Sequence, residues 1–214
     1  MLRIAIDGPS GAGKSTMAKL LAEKLGIDYI DTGAMYRALA LKIFRTNTDP
    51  EDPAALAALL ASTDVDYEQG KIFLDGEDVS SFIRTPEVSE MASVSSAIPA
   101  VREKLVALQK AMGQRKSLVM DGRDIGTNVL KDCAEYKFYL DASPAVRAER
   151  RALDMRMKGL EPDPEALRKE IEERDWRDSH RAVNPLMQAE DAIYIDSSDL
   201  TIDEVIAKMN GYIR

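Results

Sequence analysis

Leu2-Arg3-Ile4-Ala5-Ile6-Asp7-Gly8-Pro9-Ser10-Gly11-Ala12-Gly13-Lys14-Ser15-Thr16-Met17, running on to Gly26, is the stretch that decides the fold. Leu2–Asp7 is a short apolar run with β-branched residues, which predicts one buried strand. Beyond the loop, Met17, Leu20, Leu21 and Leu25 recur at helical spacing, and Gly26 is a stop signal. Between strand and helix, Gly8–Ser15 matches G-x-x-x-x-G-K-[ST], the phosphate-binding loop. Backbone N–H groups of such a loop close around phosphate oxygens, and the helix N-terminus adds roughly half a positive charge. Lys14 then reaches the β- and γ-phosphates, and the Ser15 hydroxyl is placed to ligate Mg2+. A glycine turn that merely joins strand to helix would need neither Lys14 nor Ser15. The expectation is a nucleoside-triphosphate site built from Gly8, Pro9, Ser10, Gly11, Ala12, Gly13, Lys14, Ser15 and Thr16, with Lys14 in a solvent-facing loop.

Moving outward, apolar runs at 2–7, 28–31, 117–121, 136–141 and 192–196 alternate with helical periods. These runs are too apolar for a wet face, as expected of parallel strands covered on both sides. Pro99 opens a helix over 99–114, Pro144 one over 144–157, and Thr201-x-x-Glu204 is a capping box for the last. Asp7, Asp31 and Asp121 each end a predicted strand, at the carboxyl edge where such sheets bind ligands. Residues 62–84 break the rhythm. Asp64–Tyr67 and Lys71–Leu74, with Gln69-Gly70 and Asp75-Gly76 between and after them, predict short antiparallel strands joined by tight turns. With a helix around 86–96 they form an insertion.

A chain of 214 residues suits one domain carrying such an insertion. Single-copy Cys133 excludes an internal disulfide and suits a reducing cytosol. With one histidine, His180, and no His/Cys cluster, a zinc site is not expected. No transmembrane run or secretory leader is recognisable, so the expectation is a cytoplasmic protein without a membrane partner. A net charge of −8 argues against nucleic acid as a partner. The acidity is local: residues 47–90 carry eleven Asp/Glu against Lys71 and Arg84. Conversely, residues 147–181 hold eight of the sixteen arginines, a concentration suited to gripping something anionic. Ten acidic residues share that stretch, so a helix face laced with ion pairs is the competing account.

Switch GTPases, motor ATPases and small kinases share this loop, but no Asn-Lys-x-Asp guanine-reading motif is present and the chain is short. A small kinase remains. Gly8–Thr16, then Asp31-Thr32-Gly33-Ala34-Met35-Tyr36-Arg37, then Asp121-Gly122-Arg123-Asp124-Ile125-Gly126-Thr127, then Arg174-Asp175-Trp176-Arg177-Asp178-Ser179-His180-Arg181 resemble the bacterial-type cytidylate kinases. Gly76–Ser80 and Ile83–Val88 extend the resemblance, and Thr32 stands where serine is also common in that family. The resemblance implies an α/β P-loop kinase with a five-stranded parallel sheet flanked by helices and a small antiparallel β insert in the monophosphate-binding region. It implies a core of 1–31 and 99–214, a monophosphate-binding region at about 32–98 and a lid at about 150–177. It further implies a monomer that uses ATP and Mg2+ to phosphorylate CMP or dCMP.

By the same resemblance, Arg37, Arg123 and Arg181 hold the acceptor phosphate. Arg150, Arg151, Arg174 and Arg177 are the mobile cations that, with Lys14 and Arg123, stabilise transfer. Ser93, Arg102 and Asp124 face the cytosine, Arg174 and Asp178 lie near the ribose, and Thr32 contributes a hydroxyl. The chemistry agrees. Two unit charges ~4 Å apart repel by about 4 kcal/mol at an effective dielectric near 20, so two polyanions require several cations. A monophosphate oxygen is already ionised near neutral pH, so no general base is needed. Asp121 fits either support of Mg2+ through water or a structural part, and Trp176 reads as a packing residue of its helix. Alternatives are a P-loop kinase for UMP, AMP or shikimate, and a non-catalytic module that uses ATP as a switch.

Overall fold

A computed structural model describes residues 1–157 and 159–213. Lys158, inside the expected lid range, and Arg214 lie outside the described residues. The described elements run β1 (Arg3–Asp7), α1 (Lys14–Leu25), β2 (Asp28–Asp31), α2 (Thr32–Arg45), α3 (Pro53–Ala61), β3 (Val65–Glu68), β4 (Lys71–Leu74), β5 (Glu77–Asp78), α4 (Pro86–Ser95), α5 (Pro99–Arg115), β6 (Leu118–Gly122), β7 (Tyr136–Asp141), α6 (Pro144–Met157), α7 (Pro164–His180), β8 (Ile193–Asp196) and α8 (Ile202–Tyr212). Five of the strands make a parallel sheet in the order β2-β6-β1-β7-β8, and β3-β4-β5 make a separate antiparallel one. By packing, the chain divides into one unit of Met1–Ile27 with Ser117–Arg214 and a second of Asp28–Lys116.

In the first unit β1 lies between β6 and β7, with Ile4 opposite Val119 on one side and Tyr136 on the other. Ile4, Ala5 and Ile6 are wholly buried, as a central strand covered on both faces requires. β7 pairs with β8 in the same sense. The strand order places the crossovers so that Asp7, Asp121 and the phosphate loop share the carboxyl edge of the sheet. Gly8 shows why glycine is required there. Its φ of 147° is foreign to L side chains, and a Cβ would fall 1.9 Å from the Leu140 carbonyl oxygen. Gly26 ends α1 in the left-handed region at φ 65°. Helices α6 and α7 join through a small apolar seam of Ala148, Ala152, Leu167 and Ile171, with Met155 against it. The capping box at Thr201 and Glu204 is formed.

In the second unit α2 packs against α4, with Met35, Ala38, Leu39 and Ile43 fully buried. The tight turns are explained by backbone sign: Gln69 and Gly70, then Asp75 and Gly76, all have positive φ, as two-residue hairpin loops demand. The acidic segment also contains an element the sequence pattern did not announce. α3 starts at Pro53, and the Asp52 carboxylate accepts the Ala54 and Ala55 N–H groups as its cap.

Two expectations need correction. Lys14 is not in a solvent-facing loop: it is 6% exposed, folded back so that Nζ donates to the Pro9 carbonyl at 2.6 Å. Trp176 is 63% exposed and does not pack into its helix's buried face; it stacks on His180, one turn on, with ring centroids 4.7 Å apart.

Candidate functional site

The phosphate loop places Gly13 in the left-handed region at φ 91° as the N-cap of α1. Its carbonyl oxygen accepts the Met17 N–H, so the helix starts directly on the loop. Ser15 Oγ donates to Asp121 Oδ2 at 2.9 Å. That contact joins the loop to the end of β6 and puts a hydroxyl and a carboxylate together, hard oxygen donors of the kind Mg2+ takes. Burial, and then the charge of Arg123, lower the Lys14 ammonium to about 7. A phosphate anion beside it would restore the charge this environment suppresses.

Beyond β6 the chain makes a wide helical turn over Ile125–Val129, closed by i→i+5 hydrogen bonds such as Leu130 N–H to the Ile125 carbonyl. Single turns of this kind recur at functional positions. On its N-terminal side sit Arg123 and Asp124, and each has an ionic partner from the α7 end. Arg123 Nε donates to Asp178 Oδ2 at 2.8 Å, and Arg181 Nη2 donates to Asp124 Oδ1 at 2.9 Å. Arg181 also lies 4.0 Å from Asp178 and donates Nε–H to the Asn184 carbonyl. Burial opposes both charges of the Arg123–Asp178 pair, yet the pairing outweighs it: Arg123 is raised and Asp178 lowered. Arg174 adds to the positive field on Asp178. The first unit thus brings Lys14, Asp121, Arg123, Asp124, Arg174, Asp178 and Arg181 into one network of charges, with the Ser15 hydroxyl on Asp121.

The remaining arginines on α6 and α7 are spread out. Arg150 is held by Ser197, through Nη1 to Oγ at 3.1 Å and Nη2 to the carbonyl at 2.6 Å. Arg151 pairs with Glu170 on α7 at 2.9 Å, and Arg177 is exposed. Arg147, which the sequence pattern did not single out, is 3% exposed and links three segments. It donates to the Ala142 and Ser10 carbonyls and pairs with Asp175 at 2.6 Å. No local signal distinguishes it from the other arginines of a charged helix.

In the second unit Asp31 caps α2 through the Ala34 N–H, and its other oxygen faces Arg37 at 3.0 Å and Arg84 at 3.6 Å. The Nε of Arg37 is buried with no hydrogen-bond partner among the described residues, an unmet donor suited to an anionic oxygen. Thr32 is buried at the start of α2. Ser93 and Arg102 each touch Ser96 at the α4–α5 junction: Ser96 Oγ donates to the Ser93 carbonyl, and Arg102 Nη1 donates to the Ser96 carbonyl at 3.4 Å. The Arg102 guanidinium is 1% exposed and lies over the Tyr36 ring, 5.7 Å from its centroid. A fully buried arginine in a helix is costly unless its donors are used, which marks this position.

A parallel sheet with a glycine loop at its carboxyl edge and a second, antiparallel sheet in an insertion defines a P-loop kinase fold. The overall fold is similar to that of the solved shikimate kinase of Bacteroides thetaiotaomicron, with a TM-score of 0.52 at 14% identity over 98% of this chain and 97% of that one. The chain belongs to the cytidylate kinase family, whose model matches residues 4–214. It is 48% identical to the cytidylate kinase of Lactobacillus johnsonii, over 100% of this chain and 94% of that protein. It is 50% identical to that of Caldanaerobacter subterraneus subsp. tengcongensis, over 100% and 95%.

Proposed function

We propose that the protein transfers the γ-phosphate of ATP to CMP or dCMP, giving ADP and CDP or dCDP. The observation that carries this reading is the Arg123–Asp178 and Arg181–Asp124 network on the same sheet edge as the phosphate loop. Loop N–H groups and Lys14 bind the donor phosphates, and Arg123 and Arg181 hold the acceptor phosphate, with Arg37 contributing its unmet donor. Phosphoryl transfer asks for positioning and neutralisation, and these groups are fixed before either ligand arrives. Mg2+ would be held by Ser15, with Asp121 behind it, and would neutralise charge on the donor phosphates.

Asp124, Ser93 and Arg102 recognise cytosine, Asp178 and Arg174 the ribose, and Thr32 assists the acceptor. Arg150, Arg151, Arg174 and Arg177 supply cations from a lid at about 150–177, and residues 32–98 form the monophosphate-binding region. The enzyme acts as a monomer in the cytoplasm, a placement that its single cysteine supports. A coupled ADP-release assay with ATP and Mg2+ against CMP, dCMP, UMP, AMP and shikimate tests the reading. Turnover with CMP and dCMP well above the others is expected. Faster turnover with shikimate or AMP, or none with any acceptor, would overturn it.

A further inference from the structure

Asp7 ends β1 and is 4% exposed, and both of its carboxylate oxygens are taken up by the wide turn after β6. Oδ1 accepts the Ile125 N–H at 2.8 Å, and Oδ2 accepts the Gly126 N–H at 2.6 Å. Both donors belong to the first residues of that turn, whose free N–H groups have no partner inside it. The fit is close. A Cβ on Gly126 would lie 3.2 Å from Asp7 Oδ2 and 3.3 Å from the Lys137 stem, so only glycine lets the backbone approach this carboxylate undisturbed. Arg123 and Asp124 immediately precede the two donors, and Asp124 is itself the N-cap of the turn.

We propose that Asp7 is a positioning residue that clamps the Ile125–Gly126 backbone and thereby sets where Arg123 and Asp124 present their charges to the acceptor. This rests on the reading of Arg123 and Asp124 given under the proposed function. An acceptor oxygen on each side is what the turn requires. Asparagine has the same shape but only one such oxygen, and its amide would aim a donor at the second N–H. An apolar residue would leave both N–H groups buried without a partner.

The test compares wild type with Asp7→Asn by kcat/KM for CMP and for UMP, and by the amide resonances of Ile125 and Gly126. The expected result is a CMP kcat/KM about 10- to 100-fold lower, in line with a misplacement of order 1 Å, with a smaller loss for UMP. The Gly126 amide proton should move upfield as its charged acceptor is lost. A role confined to stability would lower both substrates equally and leave their ratio unchanged. If wild type prefers CMP and Asp7→Asn keeps its rate and preference, the clamp is overturned while the functional reading stands. If wild type does not phosphorylate CMP, the functional reading fails. The clamp is then judged on the resonances of Arg123 and Asp124: unchanged signals in Asp7→Asn overturn it, and displaced ones uphold it. Should Asp7→Asn fail to fold, Gly126→Ala presses on the same carboxylate from the other side and carries the same kinetic expectations.

Discussion

Arg123 and Asp178 stand 55 residues apart and are joined at 2.8 Å, with side chains 19% and 14% exposed. The pair ties the turn after β6 to the end of α7, and neither charge is placed by its own helix or loop alone.

Arg123→Ala should therefore fail in two separable ways. Loss of a fixed cation at the acceptor phosphate lowers kcat/KM by about 10²- to 10³-fold. Leaving Asp178 with only the more distant Arg181 and the field of Arg174 lowers stability by about 1–3 kcal/mol. Arg123→Ala combined with Asp178→Asn should recover most of the stability, read by urea unfolding, and none of the activity. Recovery of both would make Arg123 a structural residue only.

Lys14→Met is expected to abolish most transfer, by about 10²-fold or more, without loss of stability. The side chain is buried with its charge suppressed, so a methionine of similar volume fills the space without the penalty of a buried cation. Turnover and the thermal midpoint measured on one preparation decide the matter. A fully active, well-folded variant would remove Lys14 from the mechanism.

On the proposed reading, base selection turns on Asp124. Cytosine offers an amino donor at N4, which a carboxylate accepts, whereas uracil offers an acceptor there. Unpaired buried groups cost about 1–3 kcal/mol each, so wild type should favour CMP over UMP by about 10²-fold or more. Asp124→Asn keeps the shape and an oxygen for Arg181 Nη2 while offering uracil a donor. Its CMP kcat/KM should fall about 10²-fold as that for UMP holds or rises. Indifference of wild type to the two bases would end this assignment.

Asp7 also predicts a pH dependence. Burial raises its carboxyl from 3.8 to about 6, against the pull of the Gly126 and Ile125 N–H groups and of Lys14; Asp124 adds to the rise. Between those values the folded state binds more proton than the unfolded one. The contribution of this group to stability is thus present below about pH 4 and is lost as pH climbs through 6. Asp7→Asn does not titrate, so it should gain on wild type by up to about 3 kcal/mol between pH 4 and pH 7. Urea unfolding of both proteins at the two pH values measures this. A stability difference that stays constant, or moves the other way, contradicts it.

Sequence by itself determined what is local in the chain. Glycines, Lys14 and Ser15 in an unbroken run specify the phosphate loop, because each acts through backbone geometry or reach within a few residues. Apolar runs specified the strands of the parallel sheet, with the predicted 117–121 observed as Leu118–Gly122, and the turn residues at Gln69-Gly70 and Asp75-Gly76 specified the second sheet. Helix α3 escaped because Ala-rich residues 54–61 show little contrast between faces, although Asp52-Pro53 was a usable start signal. What only the tertiary structure decided is how charges are partnered. Ser15 with Asp121, Asp7 with Gly126 and Arg181 with Asp124 are separated by 106, 119 and 57 residues. Likewise the wide turn after β6 and the burial of Lys14 and Arg147 arise where strand order brings loop, sheet edge and helix end together. Periodicity and composition carry no information about such meetings, since a charged residue reads alike whether water or a buried counter-charge will face it.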